Sequence, residues 1–361
     1  MGEHNKNCSV LAWPKQKNKA RNPFQFLLYD AVTTISTTAV NEFSPTNILS
    51  LFKADILHIH WPDAFLAAGK GVKFWPRYLL LRLICMMAAL SGTRIVWTAH
   101  NLQRDGQRNA DRLSKYFWPW FLRRVDGIVF MTKASEESAL QACPFLAKTP
   151  HVVIPHGHYG NVIAKYLPVT AQESDKPTAL FFGSITPYKN AHALLAAFLS
   201  LPVRSAELRI KGKMSLTEPD KKLEAMLVAL PVERQSDVIY ENNFLSEKAL
   251  ITEIYTCDLV VFPYSDVLNS GAAIFALSVG RPILASNTSL FRELQQMVGE
   301  DWVYLIDGEL DAHDLSEAMS KAKVLKENGG KPDLSKFEWD VIAQQTVDFY
   351  HQVMSKECNQ S

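Results

Sequence analysis

The chain predicts an α/β fold of two consecutive doubly wound domains, and three observations predict it. Short apolar runs of strand length alternate with helix-length segments over the first 155 residues. Periodicity is then lost over residues 160–178, and the alternation restarts beyond them. A segment of the second half, Asp258 to Ser286, spells out strand, loop, helix and strand in one run. At 361 residues the chain has the length for two domains, and its composition, 47 % apolar and 21 % charged, is that of a soluble globular protein.

In chain order, Ser9–Trp13 is the first expected strand. A basic loop with Lys15, Lys17, Lys19 and Arg21 leads to Asn22-Pro23, read as a helix cap and the first helical residue, and Phe24–Val32 continues that helix. Asp55–His60 alternates as a strand and stops at Trp61-Pro62-Asp63. Residues 74–90 form the most apolar helix. Only 13 residues run from Tyr78 to Leu90, Arg82 among them, and a bilayer span needs about 20. The segment therefore reads either as a buried crossover helix or as a helix lying in a membrane interface. Arg94–Thr98, Gly127–Met131 and Val152–Pro155 are further strands. Between them Tyr116–Arg124, where aromatics adjoin arginines, is a second interface candidate.

These elements place a first domain at residues 1–160, joined by a C-terminal amphipathic helix within 338–361, and a second domain at 175–337. The second has expected strands at Ala179–Phe182, Leu208–Lys211, Asp237–Tyr240, Leu259–Phe262, Ile283–Ala285 and Val303–Ile306. Its expected helices are Ala191–Leu201, Ser246–Tyr255 and Ala272–Val279, the last stopped by Gly280. Two such domains facing across a cleft are the geometry of a two-domain sugar transferase, although a fold alone does not establish a function.

Bulk properties narrow the class. The five cysteines are odd in number, scattered and without a CxxC pair, which argues for a reducing, cytoplasmic compartment and against structural zinc. The N-terminus lacks a signal-peptide core. Residues 1–170 hold 20 lysines and arginines against 10 acids, a balance of +10, and the remainder holds 18 against 27, a balance of −9. A basic first half is expected to meet something anionic, such as a phospholipid surface or a phosphorylated substrate. No nucleic-acid motif appears, and nucleic acid is not expected as a partner.

The chemistry is expected at strand ends, where open α/β sheets bind ligands. In the second domain, Gly183 and Ser184 open the loop that carries Lys189. The glycine turn admits a diphosphate and the lysine supplies a mobile counter-charge. From a second strand, Tyr264 and the turn Asn269-Ser270-Gly271-Ala272 bring a small-residue helix start, whose N–H groups suit a phosphate. That tetrapeptide is equally well an ordinary Asn/Ser cap. In the first domain three strand ends carry polar residues: His60-Trp61-Pro62-Asp63, His100-Asn101 with Arg104, and His156-Gly157-His158. Asp63 and His100 are the candidate general bases, and His60, Trp61, Asn101, Arg104 and His158 the candidate acceptor contacts. His58 and His60 share a strand face, which makes one of them structural. No paired carboxylates of the DxD type occur, so no metal and no cofactor is expected, only a nucleotide-sugar substrate.

The segments ILHIHWPD, WTAHNL, HGHY, FFGSITPYKN, DLVVFPYSDVLNSGAAIFALSVGRPILA and DWVYLIDGELDAHDL occur in that order between about residues 22 and 340. In this the chain resembles glycosyltransferase family 94, the glycolipid 4-β-mannosyltransferases of xanthan assembly. The resemblance implies a GT-B fold, a GDP-mannose donor and inversion at the anomeric carbon. It implies a glycan acceptor carried on polyprenyl diphosphate, and a peripheral, anionic-lipid-bound enzyme at the inner face of the bacterial cytoplasmic membrane. It implies that Lys189 and the Ser270-Gly271 turn hold the donor diphosphate. Four positions depart from the family. Asp63 stands where a glutamate is usual, Thr186 where an arginine is, and Arg104-Asp105 where a His-Glu pair is. The paired glutamates of retaining relatives fall on Val267 and Phe275. Alternatives are another donor, UDP-glucose or UDP-glucuronate, a sugar-nucleotide epimerase or hydrolase, and a non-catalytic scaffold of the same fold.

Overall fold

The structure, a computed structural model, describes residues 8–17, 19, 22–67, 73–100, 110–167, 174–216, 219–265 and 267–355. The chain forms two compact units, Met1–Gly157 with Lys336–Ser361, and His158–Ser335. The division falls at Gly157, ahead of the aperiodic stretch 160–178.

The first unit is a parallel sheet of strands β1 (Ser9–Trp13), β2 (Ala39–Glu42), β3 (Ile56–Ile59), β4 (Arg94–Ala99), β5 (Gly127–Phe130) and β6 (His151–Val153), in the order β2-β1-β3-β4-β5-β6. Successive side chains of a strand point to opposite faces, and here both faces are covered. Leu57, Ile59, Ile95 and Trp97 face one core with Phe74, Leu81 and Ile84 of helix α3 (Phe74–Ser91). Val10, Ile56 and Val96 face the other, against α1 (Phe24–Ile35) and the C-terminal helix Trp339–Ser355. A third helix, α2 (Pro62–Ala67), follows β3 directly.

Four expectations are corrected. Strand β2 lies where none was expected; it buries only Val40 and sits at the sheet edge, so it carries little apolar signal. Helix α1 begins at Phe24, one residue after the expected start at Pro23, while the Asn22 side chain accepts the Phe24 N–H at 3.1 Å. β6 covers His151–Val153 instead of Val152–Pro155. In the aromatic run Tyr116–Arg124, Phe117, Trp118, Phe121 and Leu122 are buried, so this is core, and Tyr116 alone of its large apolar side chains is exposed.

Helix α3 resolves into two faces. Six side chains, Phe74, Tyr78, Leu81, Ile84, Cys85 and Ala88, are buried. The helix, at 18 residues, is long and apolar enough to cross a membrane by composition, but this packed face makes it the crossover between β3 and β4.

The second unit is a parallel sheet of β7 (Thr178–Phe182), β8 (Glu207–Lys211), β9 (Val238–Glu241), β10 (Leu259–Phe262), β11 (Ile283–Ser286) and β12 (Val303–Ile306), in the order β12-β11-β10-β7-β8-β9. β7 and β10 are neighbours, and the chain proceeds outward from them on opposite sides. This is the strand order of nucleotide-binding α/β sheets, and it opens a crevice beyond the carboxyl ends of the two central strands. Helix α4 (Ala191–Leu199) follows β7 and α5 (Gly271–Ser278) follows β10. The C-terminal helix is α6 below.

Candidate active site

In the second unit both expected loops leave that switch point. Gly183 ends β7 with φ of 104°, a left-handed conformation that glycine adopts without strain. The Lys189 side chain returns over it, its Nζ 3.6 Å from where a Cβ on Gly183 would lie. The same ammonium sits 5.4 Å from the centre of the Tyr264 ring, which belongs to the loop after β10. The two loops are tied directly, since Ser265 donates to the Tyr188 carbonyl from its N–H at 2.8 Å and from its hydroxyl at 3.1 Å. Gly183, Ser184, Lys189 and Tyr264 are thereby gathered at one sheet edge.

The electrostatics of these loops are those of an anion site. Burial lowers the Lys189 pKa to about 8, with no carboxylate among the described residues offsetting the shift. The Thr186 and Tyr264 hydroxyls are buried and meet no hydrogen-bond partner among the described residues. A buried hydroxyl without a partner costs about 1–3 kcal/mol, so Tyr264, whose ring lies beside the Lys189 ammonium, and Thr186, earlier in the same loop as Lys189, suit a polar, negatively charged ligand. In the sequence Thr186 stands out only as a departure from the family pattern. Its buried hydroxyl lies in the loop that carries Lys189, and no local pattern signals that.

Ser270 is the N-cap of α5, its Oγ accepting the Ala273 N–H at 3.2 Å. The cap reading of Asn269-Ser270-Gly271-Ala272 is thus correct for the Ser270 side chain. The anion reading survives for the backbone, because the first N–H groups of a helix have no intrahelical acceptor and carry the positive end of its dipole. Asn269 lies in the loop before that cap and Ala272 in the first turn.

In the first unit His100 follows β4, half-buried, with the Trp61 ring stacked on it at 4.4 Å. Its Nε2 is 3.1 Å from Nδ1 of His60. Asp63 is buried in the first turn of α2. One expected acceptor contact, His60, is corrected. His60 is buried, with Nδ1 engaged by His100 and Nε2 2.6 Å from the Tyr29 hydroxyl, so it supports His100 instead of touching an acceptor. His158 belongs to the second unit, where its Nδ1 accepts the Gly160 N–H at 2.9 Å. Asn101 and Arg104 lie outside the described residues. Nearby, His156 packs on Phe24 with ring centres 4.6 Å apart, and burial lowers its pKa to about 4, so it is neutral.

Residues 162–331 match the family of group 1 glycosyl transferases. The chain is 29 % identical over 350 residues, 97 % of its own length and 93 % of the other's, to GDP-mannose:glycolipid 4-beta-D-mannosyltransferase of Xanthomonas campestris pv. campestris. It is 25 % identical over 176 residues, 47 % of this chain and 41 % of the other, to MMP alpha-(1->4)-mannosyltransferase of Mycolicibacterium hassiacum. Among solved structures, sucrose-phosphate synthase from Thermosynechococcus elongatus superimposes with a TM-score of 0.66 at 16 % identity, covering 98 % of this chain and all (100 %) of that one. HepE of Anabaena, in complex with UDP-glucose, does so with a TM-score of 0.58 at 13 % identity, covering 96 % and 98 %. The two sheets are those of the GT-B fold, and the activity is glycosyl transfer.

Proposed function

We propose that this glycosyltransferase moves mannose from GDP-mannose to an oligosaccharide carried on polyprenyl diphosphate, with inversion, in bacterial exopolysaccharide assembly. The observation that carries the reading is the Lys189 ammonium beside the Tyr264 ring, with the Thr186 hydroxyl on the loop after β7 and the α5 N-terminus following the loop after the neighbouring β10. It suits the diphosphate of a sugar nucleotide, and the donor and glycolipid acceptor named for the Xanthomonas relative supply the identities.

In the transfer, the acceptor hydroxyl oxygen forms a bond to the anomeric carbon while the bond from that carbon to the diphosphate oxygen breaks. The electron pair leaves with GDP, whose growing charge is met by the Lys189 ammonium and the α5 N–H groups without need of a metal. The hydroxyl proton passes to a base. His100 is preferred to Asp63, because the histidine is half-buried and the carboxylate is buried. Inversion fits the residues at the positions where retaining relatives hold glutamates. Phe275 packs its ring against Tyr159 and Phe182, and Val267 is aliphatic.

Calorimetric or thermal-shift titration with GDP-mannose, UDP-glucose and UDP-glucuronate tests the donor. GDP-mannose at about 100 times its Kd is expected to stabilise the protein by roughly 2.7 kcal/mol, and transfer to a lipid-linked acceptor is expected to persist in EDTA. A response to a UDP sugar alone would replace the donor. Turnover of donor without any acceptor would point to a hydrolase or epimerase, and no response to any of the three would leave a scaffold.

A lipid-borne acceptor also accounts for the second face of α3. Trp75, Leu79, Leu83, Met86 and Leu90 recur every three or four residues and stand 43–71 % exposed, which puts them in one stripe along the helix. Leu49, Phe52 and Tyr116 extend the exposed apolar patch, the Tyr116 ring lying 5.3 Å from that of Trp75. Helix α3 contains no acid, and Arg82 is exposed at the edge of the stripe. Apolar stripe and one-signed charge together fit an anionic bilayer interface at the inner face of the cytoplasmic membrane, entered by the stripe and held by the cations. The full-length protein is expected to co-sediment with vesicles containing phosphatidylglycerol. The double variant Leu79→Glu/Leu83→Glu, altered only at exposed positions, is expected to lose at least about tenfold in vesicle affinity, since each leucine gives up its apolar burial. Undiminished binding by the variant would remove α3 as the membrane face.

A further inference from the structure

Helix α1 carries one side chain that its packing does not explain. The buried face of the helix consists of Phe24, Gln25, Leu28, Tyr29, Ala31 and Val32. All but Gln25 join the core between the helices and the sheet. Gln25 is just as enclosed, at 1 % exposed, yet its amide nitrogen and its amide oxygen are both buried with no hydrogen-bond partner among the described residues. A primary amide has two hydrogens to donate and an oxygen that accepts twice. Leaving such a group unmet inside a fold is destabilising, and a leucine or methionine would complete the apolar face without that penalty. Folding alone therefore gives no reason for a glutamine here.

Its place in the fold supplies one. Helix α1 follows β1 in a parallel sheet, so its first turn stands at the carboxyl edge, where β3 is followed by His60-Trp61 and β4 by His100. Contacts on either side of Gln25 hold it there. The Phe24 ring lies 5.5 Å from that of His100 and 6.0 Å from that of His60, centre to centre. The Tyr29 hydroxyl, one helical turn after Gln25, is 2.6 Å from His60 Nε2. Residues four apart share a helix face, and helical side chains lean toward the N-terminus. The Gln25 side chain thus starts on the face that meets His60 and leans toward the edge that carries His100 and Trp61.

We propose that Gln25 is a specificity-determining contact for the acceptor sugar. Its amide oxygen accepts from one hydroxyl of the ring that offers the reacting group, and its amide N–H donates to the neighbouring oxygen of that ring. This rests on the first unit taking a glycan acceptor, and it holds whichever of His100 and Asp63 receives the proton. Enclosure strengthens the pairing, because a hydrogen bond away from water is electrostatically stronger and an unmade one more costly. A polar site paired only by its substrate also rejects an analogue lacking the hydroxyl far more strongly than an apolar pocket rejects a change of size. The unpaired amide of the free protein is then stability forgone for selectivity.

The test uses the full-length protein with the variants Gln25→Met and Gln25→Leu, both apolar and close to glutamine in volume. Thermal unfolding needs no substrate. At least one variant is expected to melt at or above the wild-type temperature, since an unpaired amide has been removed. An amide satisfied inside the fold, by protein or by a buried water, would be missed instead, and a lower Tm in both variants overturns the proposal. In transfer to a lipid-linked glycan, kcat/KM for the acceptor is expected to fall at least about tenfold in the variants, the scale of two neutral hydrogen bonds. KM for the sugar nucleotide is expected to stay within a factor of about two. Among singly deoxygenated acceptors, one is expected to lose a similar factor with the wild-type enzyme and nothing further with Gln25→Met. Wild-type acceptor kinetics in both variants, or a loss confined to donor KM, overturn the proposal. Wild-type protein that transfers to no lipid-linked glycan would overturn the reading on which it rests, a result separate from the melting temperatures.

Discussion

Lys189→Ala is expected to lower kcat/KM for the sugar nucleotide by about 10²–10³-fold, the scale seen when one preorganised donor to a developing anion is removed. Initial rates over a range of donor concentration check it. The size follows from where the ammonium sits, against Gly183 and over the Tyr264 ring, in a place whose burial lowers its pKa to about 8 with no carboxylate among the described residues in return. The pH dependence has a definite sign. The unfolded chain keeps this lysine protonated up to its ordinary value of 10.5 and the folded chain only to about 8. Between those values the unfolded state holds more protons, so the free protein gains stability as pH rises through that window. Donor binding runs the opposite way and weakens as pH rises through about 8, because the cation that meets the diphosphate is lost. Both slopes are expected to vanish in Lys189→Ala. Wild-type kinetics in that variant would show that the donor diphosphate is held elsewhere.

What was readable beforehand follows from range. The alternation of apolar runs marks both sheets because a strand buried on two faces is apolar over its whole length, as Leu259–Phe262 is. The loops carrying Gly183, Lys189 and Ser270 were legible because they follow such strands directly. The edge strand Ala39–Glu42 was not, since it has one buried side chain. Helix α3 hid its two faces for the opposite reason, because it is apolar all round and periodicity cannot separate the packed side from the exposed one. The hydrogen-bond partners of His58 and His60 were beyond local reading altogether. Tyr350 reaches His58 across 292 positions of sequence, through a C-terminal helix that packs beside α1. The shared strand face of His58 and His60 was visible, but which ring would support a base and which would close the core depended on those distant partners.

His100→Gln is expected to lower kcat by about 10²–10⁴-fold, the range that a positioned general base contributes, and to leave donor affinity within a factor of about two, since a retained diphosphate site costs nothing in binding. Glutamine preserves a polar side chain of similar reach for the stacking contact with Trp61 and removes the proton-accepting nitrogen. Single-turnover rates with a lipid-linked acceptor separate this loss from product release. The limb of the pH–rate profile that reports protonation of the base should disappear in the variant. Asp63→Asn is the companion measurement. Asp63 is buried in the first turn of α2, where a carboxylate also stabilises the helix N-terminus. Its replacement is therefore expected to lower stability, with a smaller loss of kcat than His100→Gln. If instead Asp63→Asn abolishes turnover while His100→Gln keeps it, the proton goes to the carboxylate, and His100 is left as the wall on which Trp61 stacks.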